Sequence, residues 1–219
     1  MPSLTAAQIS KVLQQRPPGN TAAWRTLRRK WTVELADETP LAVIKIAEQL
    51  VAKGTWERLT AYELIAKHPN AIPALNATYI HRLAKGLCDW PGVDTFGCYV
   101  AGPAWRESRL GTRHIHHWSR SSDRWQRRLA LVCTVALNVP ARGGQGDTER
   151  TLDVCRRLID DHEDMVVKAL SWALRALVQW DRIAVQQFIG THEDRLAARV
   201  KREVGTKLRT GLKNSPRLR

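Results

Sequence analysis

Apolar residues recur at helical spacing along almost the whole chain, and this period is the feature that most restricts the fold. No segment alternates apolar and polar residues convincingly, as a half-buried strand does. Short turns containing proline or glycine separate the helical segments at intervals of roughly 15 to 20 residues, although no clean sequence repeat is visible. The sequence therefore predicts an all-α protein made of helical pairs of the HEAT or armadillo kind.

Individual helices can be placed from their apolar stripes and from the residues that begin or end a helix. Thr39 and Pro40, for example, are predicted to begin a helix that Gly54 ends. The turn at residues 16–19 is predicted to end the first helix. We expect one domain over residues 1–212 and a basic tail at residues 213–219. The predicted helices are 5–15, 21–35, 39–54, 56–67, 72–86, one begun by Pro91, one around Trp105, 123–138, 147–159, 163–180 and part of the segment after 195.

Basic residues are in large excess. Lys and Arg total 35 against 21 Asp and Glu, which gives a formal net charge of +14 and a pI near 10.3. A positive field of this size attracts polyanions, so nucleic acid is the expected partner. One stretch is especially dense and predicts the wall of a basic groove, because only Glu107 and Asp123 oppose its arginines. These are Arg106, Arg109, Arg113, Arg120, Arg124, Arg127 and Arg128.

Nothing in the sequence predicts a membrane segment or a secretory leader. No apolar run approaches the roughly 18 residues of a membrane span. The first residues lack the basic and apolar regions of a signal peptide. We therefore expect a cytoplasmic protein, in a bacterial-type cytosol or nucleoid.

Cysteines and histidines give no metal or redox pattern. The three histidines at positions 114, 116 and 117 lack a second cluster of ligands, so we expect neither a metal nor a cofactor. The cysteines have irregular spacing and form no C-x-x-C pair, so they are predicted to be buried thiols. They are Cys88, Cys98, Cys133 and Cys155.

A short acidic and aromatic stretch, residues 89–94, stands out against the basic background. Asp89 or Trp90 can cap a helix that Pro91 begins, because proline lacks the N–H that a first helical turn leaves unpaired. Trp90 and Asp94 then share a face at four-residue spacing. The pair can offer an apolar wall and a negative charge to one ligand. Alternatively, Trp90 is a core residue and Asp94 decorates the positive end of a helix dipole.

Nine tryptophans in a basic helical protein favour interleaved cations and aromatic rings, a combination that binds phosphates and stacks sugars or bases. Trp172 is predicted on a half-exposed helix face between Lys168 and Arg175. No nucleophile elbow, H-E-x-x-H or G-x-G-x-x-G motif is present, so the common hydrolase and redox classes have no support. Packing or helix joints are predicted for Trp24, Trp31, Trp56, Trp105 and Trp180, whereas Trp90, Trp125 and Trp172 are candidates for ligand contact.

Three pieces of the chain resemble the AlkD family of DNA alkylation-repair glycosylases, in the same order and at similar separations. They are Trp90-Pro91-Gly92-Val93-Asp94, Trp125-Gln126-Arg127-Arg128-Leu129-Ala130 and Lys168-Ala169-Leu170-Ser171-Trp172-Ala173-Leu174-Arg175. The resemblance spans most of the chain, and its third piece is the most specific. It implies a superhelix of antiparallel HEAT-like helical pairs with a concave basic face that holds duplex DNA. It also implies excision of cationic alkylated purines such as 7-methylguanine and 3-methyladenine, and we expect a monomer.

The resemblance assigns roles to individual residues. Asp94 takes the place of the family's catalytic aspartate, and Trp90 and Trp172 take the places of two indoles that contact the backbone of the lesion. Arg128 matches the active-site arginine, with Arg127 as the alternative if the match slips by one residue. Further DNA contacts are predicted for Arg124, Trp125, Arg127, Lys168, Arg175, Lys201 and Arg202.

The chain departs from the family pattern in three ways. Pro91 replaces the usual acid after the first tryptophan, which bears on the aim of Asp94. The region before Trp90 is shorter than in typical members, which bears on DNA contacts near the N-terminus. A glycine-rich loop at residues 140–146 lengthens the gap between Arg128 and Trp172.

The chemistry of the residues agrees with this resemblance. A purine alkylated at a ring nitrogen leaves as a neutral base, so the step needs little general acid. The sugar gains oxocarbenium character, which a fixed carboxylate such as Asp94 stabilises. Two alternatives are a non-catalytic HEAT-like protein that binds branched or distorted DNA and a protein-binding scaffold. The presence of Asp94 and the tryptophans disfavours the first alternative, and the arginine density disfavours the second.

Overall fold

The computed structural model describes residues 4–15 and 19–213. Within those residues all regular structure is helical and no strand occurs, which confirms the predicted all-α class. No helix among them is both long and apolar enough to cross a membrane. Two compact units are present, Met1–Gly111 and Thr112–Arg219. The single domain predicted for 1–212 stays a prediction, and the turn at residues 16–18 and the tail beyond Lys213 lie outside the described residues.

The first unit contains eight α-helices in its described residues. Helix α7 continues through a π-helical turn, Gly97–Ala101, directly into α8. The helices are α1 Ala6–Gln15, α2 Thr21–Glu34, α3 Pro40–Leu50, α4 Thr55–Lys67, α5 Ala71–Ala74, α6 Ala77–Ala84, α7 Trp90–Phe96 and α8 Gly102–Arg106.

Helix α4 is the centre of the first unit, because α1, α2, α3, α5 and α7 all pack against it. It is therefore buried on most sides, including several polar positions. Each of these polar groups meets a partner from another helix, as buried polar groups generally must. Ser10 donates to Glu57 at 3.1 Å, the Trp24 indole donates to Thr60 at 2.8 Å, and Arg28 pairs with Glu63 at 2.8 Å.

The second unit contains six α-helices in its described residues. Helices α10, α12 and α14 pack in sequence as one layer, while α9, α11 and α13 pack against them as a second layer. This alternation is that of stacked HEAT-like helical pairs, which confirms the predicted class. The helices are α9 Thr112–Ser119, α10 Arg124–Asn138, α11 Thr148–Arg157, α12 Asp164–Leu177, α13 Arg182–Thr191 and α14 Ala198–Thr210.

The helix predictions were wrong in three regions. Helix α9, Thr112–Ser119, was not predicted. The single helix predicted for residues 72–86 is two helices, because Asn76 leaves helical geometry and its side chain accepts a hydrogen bond from the Tyr79 N–H to begin α6. Helix α13 was not predicted; it begins at Asp181, whose side chain caps the Ala184 N–H at 2.9 Å. The predicted basic concave face stays a prediction.

The side-chain predictions for tryptophan and cysteine mostly match the core. Trp24, Trp31 and Trp105 are buried, as predicted. Trp180 is 45% exposed but joins two helices, because its indole donates to the Asn138 carbonyl at 2.6 Å. The prediction of buried thiols was wrong for Cys88, which is exposed in the turn before α7, and correct for the other three cysteines.

Candidate functional site

The acidic and aromatic stretch of the first unit forms the start of α7. Asp89 is the N-cap, and its Oδ1 accepts a hydrogen bond from the Gly92 N–H at 2.8 Å. Pro91 lies in the first turn, where its missing N–H costs nothing. Trp90 is 56% exposed, so the interpretation of Trp90 as a core residue is wrong. Asp94 lies one turn further along α7 and is partly exposed.

Gly92 allows a close approach at this helix start. A Cβ there would lie 2.8 Å from Asp89 Oδ1 and 3.3 Å from Arg58 Cδ, which is closer than packed atoms normally come. Arg58 itself donates to the Lys85 carbonyl at 3.0 Å and so holds the turn before α7. The cap, the glycine and the arginine together fix where α7 begins and therefore how Trp90 and Asp94 are presented.

Below this helix start the first unit carries a buried tyrosine. Tyr62 is fully buried, and its hydroxyl donates to the Leu83 carbonyl at 2.8 Å. Its ring lies 4.9 Å from the Phe96 ring at the end of α7. Burial raises the pKa of Tyr62 to about 12, although neighbouring Arg58 acts in the opposite direction. Helix α7 therefore rests on a rigid aromatic base and passes into a π-helical turn, a feature frequent at functional sites.

In the second unit, the predicted arginines of α10 dock against the segment that leads into α12. Asp123 caps α10 by accepting from the Trp125 N–H at 2.9 Å. Arg124 Nη1 lies 3.6 Å from Glu163, and Arg124 also stacks 5.2 Å from the Trp125 ring. The Arg124–Glu163 pair is about half exposed, so it contributes little to stability.

Arg127 and Arg128, the two candidates for the active-site arginine, have different surroundings. Arg127 donates to Asp161 and also to the carbonyls of Ser121 and Ser122, at 3.0 and 2.8 Å. Arg128 is only 6% exposed and donates through Nη1 to the Met165 carbonyl. Arg127 is thus committed to closing the loop before α10, whereas Arg128 lies against the first turn of α12.

Lys168 and Arg175, predicted to frame Trp172, both have acidic partners within the second unit. Lys168 Nζ lies 2.6 Å from Asp164, and this hydrogen bond is the main reason that the pKa of Asp164 is lowered. Arg175 lies 3.4 Å from Glu203 and donates to Ser171 at 3.2 Å. Partial burial lowers the pKa of Arg175, and Glu203 acts against that effect.

The cation that stacks on Trp172 comes from the glycine-rich loop. The Arg142 guanidinium carbon lies 5.5 Å from the centre of the Trp172 ring, within the range of a cation–π contact. Sequence reasoning missed this residue, because Arg142 is 30 positions from Trp172 and no local pattern joins them. The loop that separates this chain from the family pattern therefore reaches one of the two candidate indoles.

Asn138, at the end of α10, fixes the base of the loop. This buried side chain donates to Thr134 and Thr151 and accepts from the Asp147 N–H. The backbone carbonyl of Asn138 accepts hydrogen bonds from the side chains of Gln179 and Trp180. The loop then folds back so closely that a Cβ at Gly144 would lie 2.6 to 2.8 Å from backbone atoms of 137–139. Arg142 is consequently presented from a rigid base.

The remaining candidates lie on the surface of the second unit. Lys201 donates to the Glu193 carbonyl at 3.1 Å, and Arg202 is exposed on α14. His116 pairs with Asp153 at 2.6 Å. Although burial acts to raise it, hydrogen bonds from Arg157 and His116 hold the pKa of Asp153 below its usual value. No group of three or more potential metal ligands occurs among the described residues.

Comparison with known proteins gives one family. No curated protein sequence matches this chain. The sequence model of the family described as DNA alkylation repair enzyme matches residues 20–208, which is most of the chain. The matched range includes every candidate residue of both units. This protein belongs to the DNA alkylation repair enzyme family.

Proposed function

We propose that this protein is a DNA glycosylase that removes cationic alkylated purines, of the 7-methylguanine and 3-methyladenine type, from duplex DNA. One observation carries the proposal. In this member of a DNA alkylation repair family, Asp94 lies one helical turn from the exposed indole of Trp90. A carboxylate placed beside an exposed indole can stabilise positive charge that develops on a sugar in the transition state.

The proposed reaction is hydrolysis of the N-glycosidic bond. The bond from C1′ to the purine nitrogen breaks, and its electron pair neutralises the charge on the alkylated base. Water adds its oxygen to C1′ and releases a proton. Asp94 stabilises the oxocarbenium-like sugar electrostatically and holds the water, so no general acid is needed to expel the base.

The other candidates act on the DNA rather than on the bond. The indole of Trp90, beside Asp94, contacts the cationic sugar and its C–H edges, and the indole of Trp172 contacts the DNA backbone. Arg128, oriented by the Met165 carbonyl, binds a backbone phosphate through charge-assisted hydrogen bonds. Contact through the sugar and phosphates suits recognition of the lesion from the DNA backbone. Other glycosylases instead flip the base into a pocket.

A base-release assay on methylated duplex DNA tests this function. Wild-type protein is expected to release 7-methylguanine, and Asp94→Asn to slow release about 100- to 1000-fold, as loss of a group that stabilises transition-state charge does elsewhere. Binding to the same DNA should be retained. Asp37→Asn, an exposed acid of the first unit, is the matched control and should release base at the wild-type rate.

Two results would contradict the proposal. Undiminished release by Asp94→Asn would remove that carboxylate from the mechanism. Binding of DNA by the wild-type protein without any release would favour the alternative, a non-catalytic protein that binds branched or distorted DNA.

A further inference from the structure

The second unit contains a pocket of about 240 Å³ beside Trp172. It lies among the C-terminal half of α12, the first residues of the glycine-rich loop and the end of α14. One wall is apolar, formed by Val139, Pro140, Ala176 and the Trp172 indole. Trp172 and Arg175 were predicted from the sequence to contact DNA, whereas the predicted contacts Lys201 and Arg202 on α14 do not line the pocket.

The other wall of the pocket is cationic. Arg175, Lys207 and Lys213 line it. Glu203 lies 3.4 Å from Arg175 and partly neutralises it, so Lys207 and Lys213 provide most of the positive charge of this wall. Lys207 is held in place because its Nζ donates to the carbonyl of Gly211, the left-handed C-cap of α14. Arg142, stacked on the Trp172 ring, adds a fourth positive charge near the same indole.

Charge and size together indicate the ligand. Ammonium and guanidinium groups make their strongest hydrogen bonds to anionic oxygens such as those of phosphate. An aromatic and aliphatic wall accepts the C–H face of a sugar, as in sites for nucleic-acid strands. A volume of about 240 Å³ is below the usual range of roughly 300–1,000 Å³ for small-molecule sites, so a whole nucleotide cofactor does not fit the pocket well.

We propose that this pocket binds one phosphodiester of a DNA backbone, with Lys207 and Lys213 on the phosphate and the adjoining deoxyribose against Trp172. This inference rests on the DNA binding of the proposed function, but it requires no excision. Lys207 and Lys213 are new DNA-contacting residues, and the rigid base of the glycine-rich loop keeps the apolar wall in place.

Salt titration of DNA binding tests the pocket. The probe is an unmodified duplex oligonucleotide, and the quantity measured is the slope of log K against log salt concentration. Lys213→Gln is expected to reduce the magnitude of the slope by about 0.9, the amount for one lost phosphate contact. Lys213→Arg should restore the slope. Lys53→Gln, an exposed lysine of the first unit, is the matched control for net charge and should leave the slope at its wild-type value.

Each outcome decides for or against the pocket. Equal slopes for Lys213→Gln and Lys53→Gln would overturn it, as would a wild-type protein that does not bind duplex DNA. Lys213 is exposed, so its loss leaves the fold intact. A reduced slope in a protein without base release would refute the glycosylase and keep the pocket, whereas base release with an unchanged slope would do the reverse.

Discussion

The two candidate indoles, one in each unit, are built differently although the family resemblance treats them as a pair. Trp90 lies in the first turn of α7 with more than half of its surface exposed. Trp172 lies in mid-helix, partly buried, with the Arg142 guanidinium stacked on its ring. An exposed indole is available to a ligand without rearrangement, whereas an indole that already holds a cation must share or exchange it. Two tryptophans to which the resemblance gives the same role can therefore differ in the free energy that contact with a ligand costs.

A similar contrast applies to the charges of the second unit. Arg127, Lys168 and Arg175 each have a carboxylate partner within that unit, at Asp161, Asp164 and Glu203. Their positive charge is partly neutralised before any DNA arrives. Basic residues counted from the sequence therefore overstate the positive groups that are ready to bind phosphate.

Within this comparison, the largest effect is expected from removing either indole. Trp90→Ala and Trp172→Ala should each slow excision of 7-methylguanine by about 5- to 150-fold, the equivalent of about 1–3 kcal/mol for a lost aromatic contact. Only Trp172→Ala should also lower the melting temperature, because Trp90 has little packing to lose. The measurements are single-turnover base release and thermal unfolding. Equal melting temperatures of the two variants would show that the stacking on Trp172 contributes nothing.

The next effect distinguishes Arg127 from Arg128. Arg127→Ala is expected to lower the free energy of unfolding by about 1–3 kcal/mol, because Asp161 and two carbonyls lose their donor. Arg127→Lys should not restore stability, since one ammonium cannot replace a planar guanidinium that bonds three groups. Urea unfolding provides the measurement.

Arg128→Ala is also expected to lower stability, because Arg128 is buried and the Met165 carbonyl loses its donor, but the change that distinguishes it is in DNA binding. The slope of log K against log salt should flatten by about 0.9, as expected for one phosphate contact. If Arg127→Ala flattened the slope and Arg128→Ala did not, the role of the family's arginine would pass to Arg127.

The smallest effect at neutral pH is expected from Tyr62. Because its pKa in the folded protein is raised from 10.0 to about 12, its contribution to stability is fully present below pH 10 and is lost as the pH rises towards 12. Tyr62→Phe removes this pH dependence. The free energy of unfolding of the variant should therefore fall less steeply than that of the wild type over this pH range. Unfolding experiments between pH 9 and about 12 test the difference. Parallel curves would show that the phenol is not the group responsible.

Helices were predictable from the sequence wherever an apolar stripe coincided with a local cap. Asp89, Thr39 and Asp123 each cap the helix that was expected to follow them. The break at Asn76 was missed because apolar residues continue on both sides of it, so that the period hides the cap. Apolar stripes and helix caps are both local features of the sequence, which is why they predicted most of the helices.

The partners of the candidate side chains were not predictable in the same way. Arg142 meets Trp172, and Arg127 meets Asp161, across separations that only the packing of α10 and α12 determines. Sequence neighbours of Trp172 were instead expected to frame it. The motifs predicted the candidate residues, but the charges available to a ligand depend on contacts between helices.

The hydrogen bond from Ser10 to Glu57 bears on how this protein is divided for experiments. The family match begins at residue 20, yet α1 lies before it and packs against α3 and α4. A chain trimmed to the family match would remove the Ser10 hydroxyl that donates to the buried Glu57 carboxylate and would uncover the apolar face that Ile9 and Leu13 cover. The range that the family model matches is thus shorter than the range that the core requires. A fragment for experiments should follow the core and include α1.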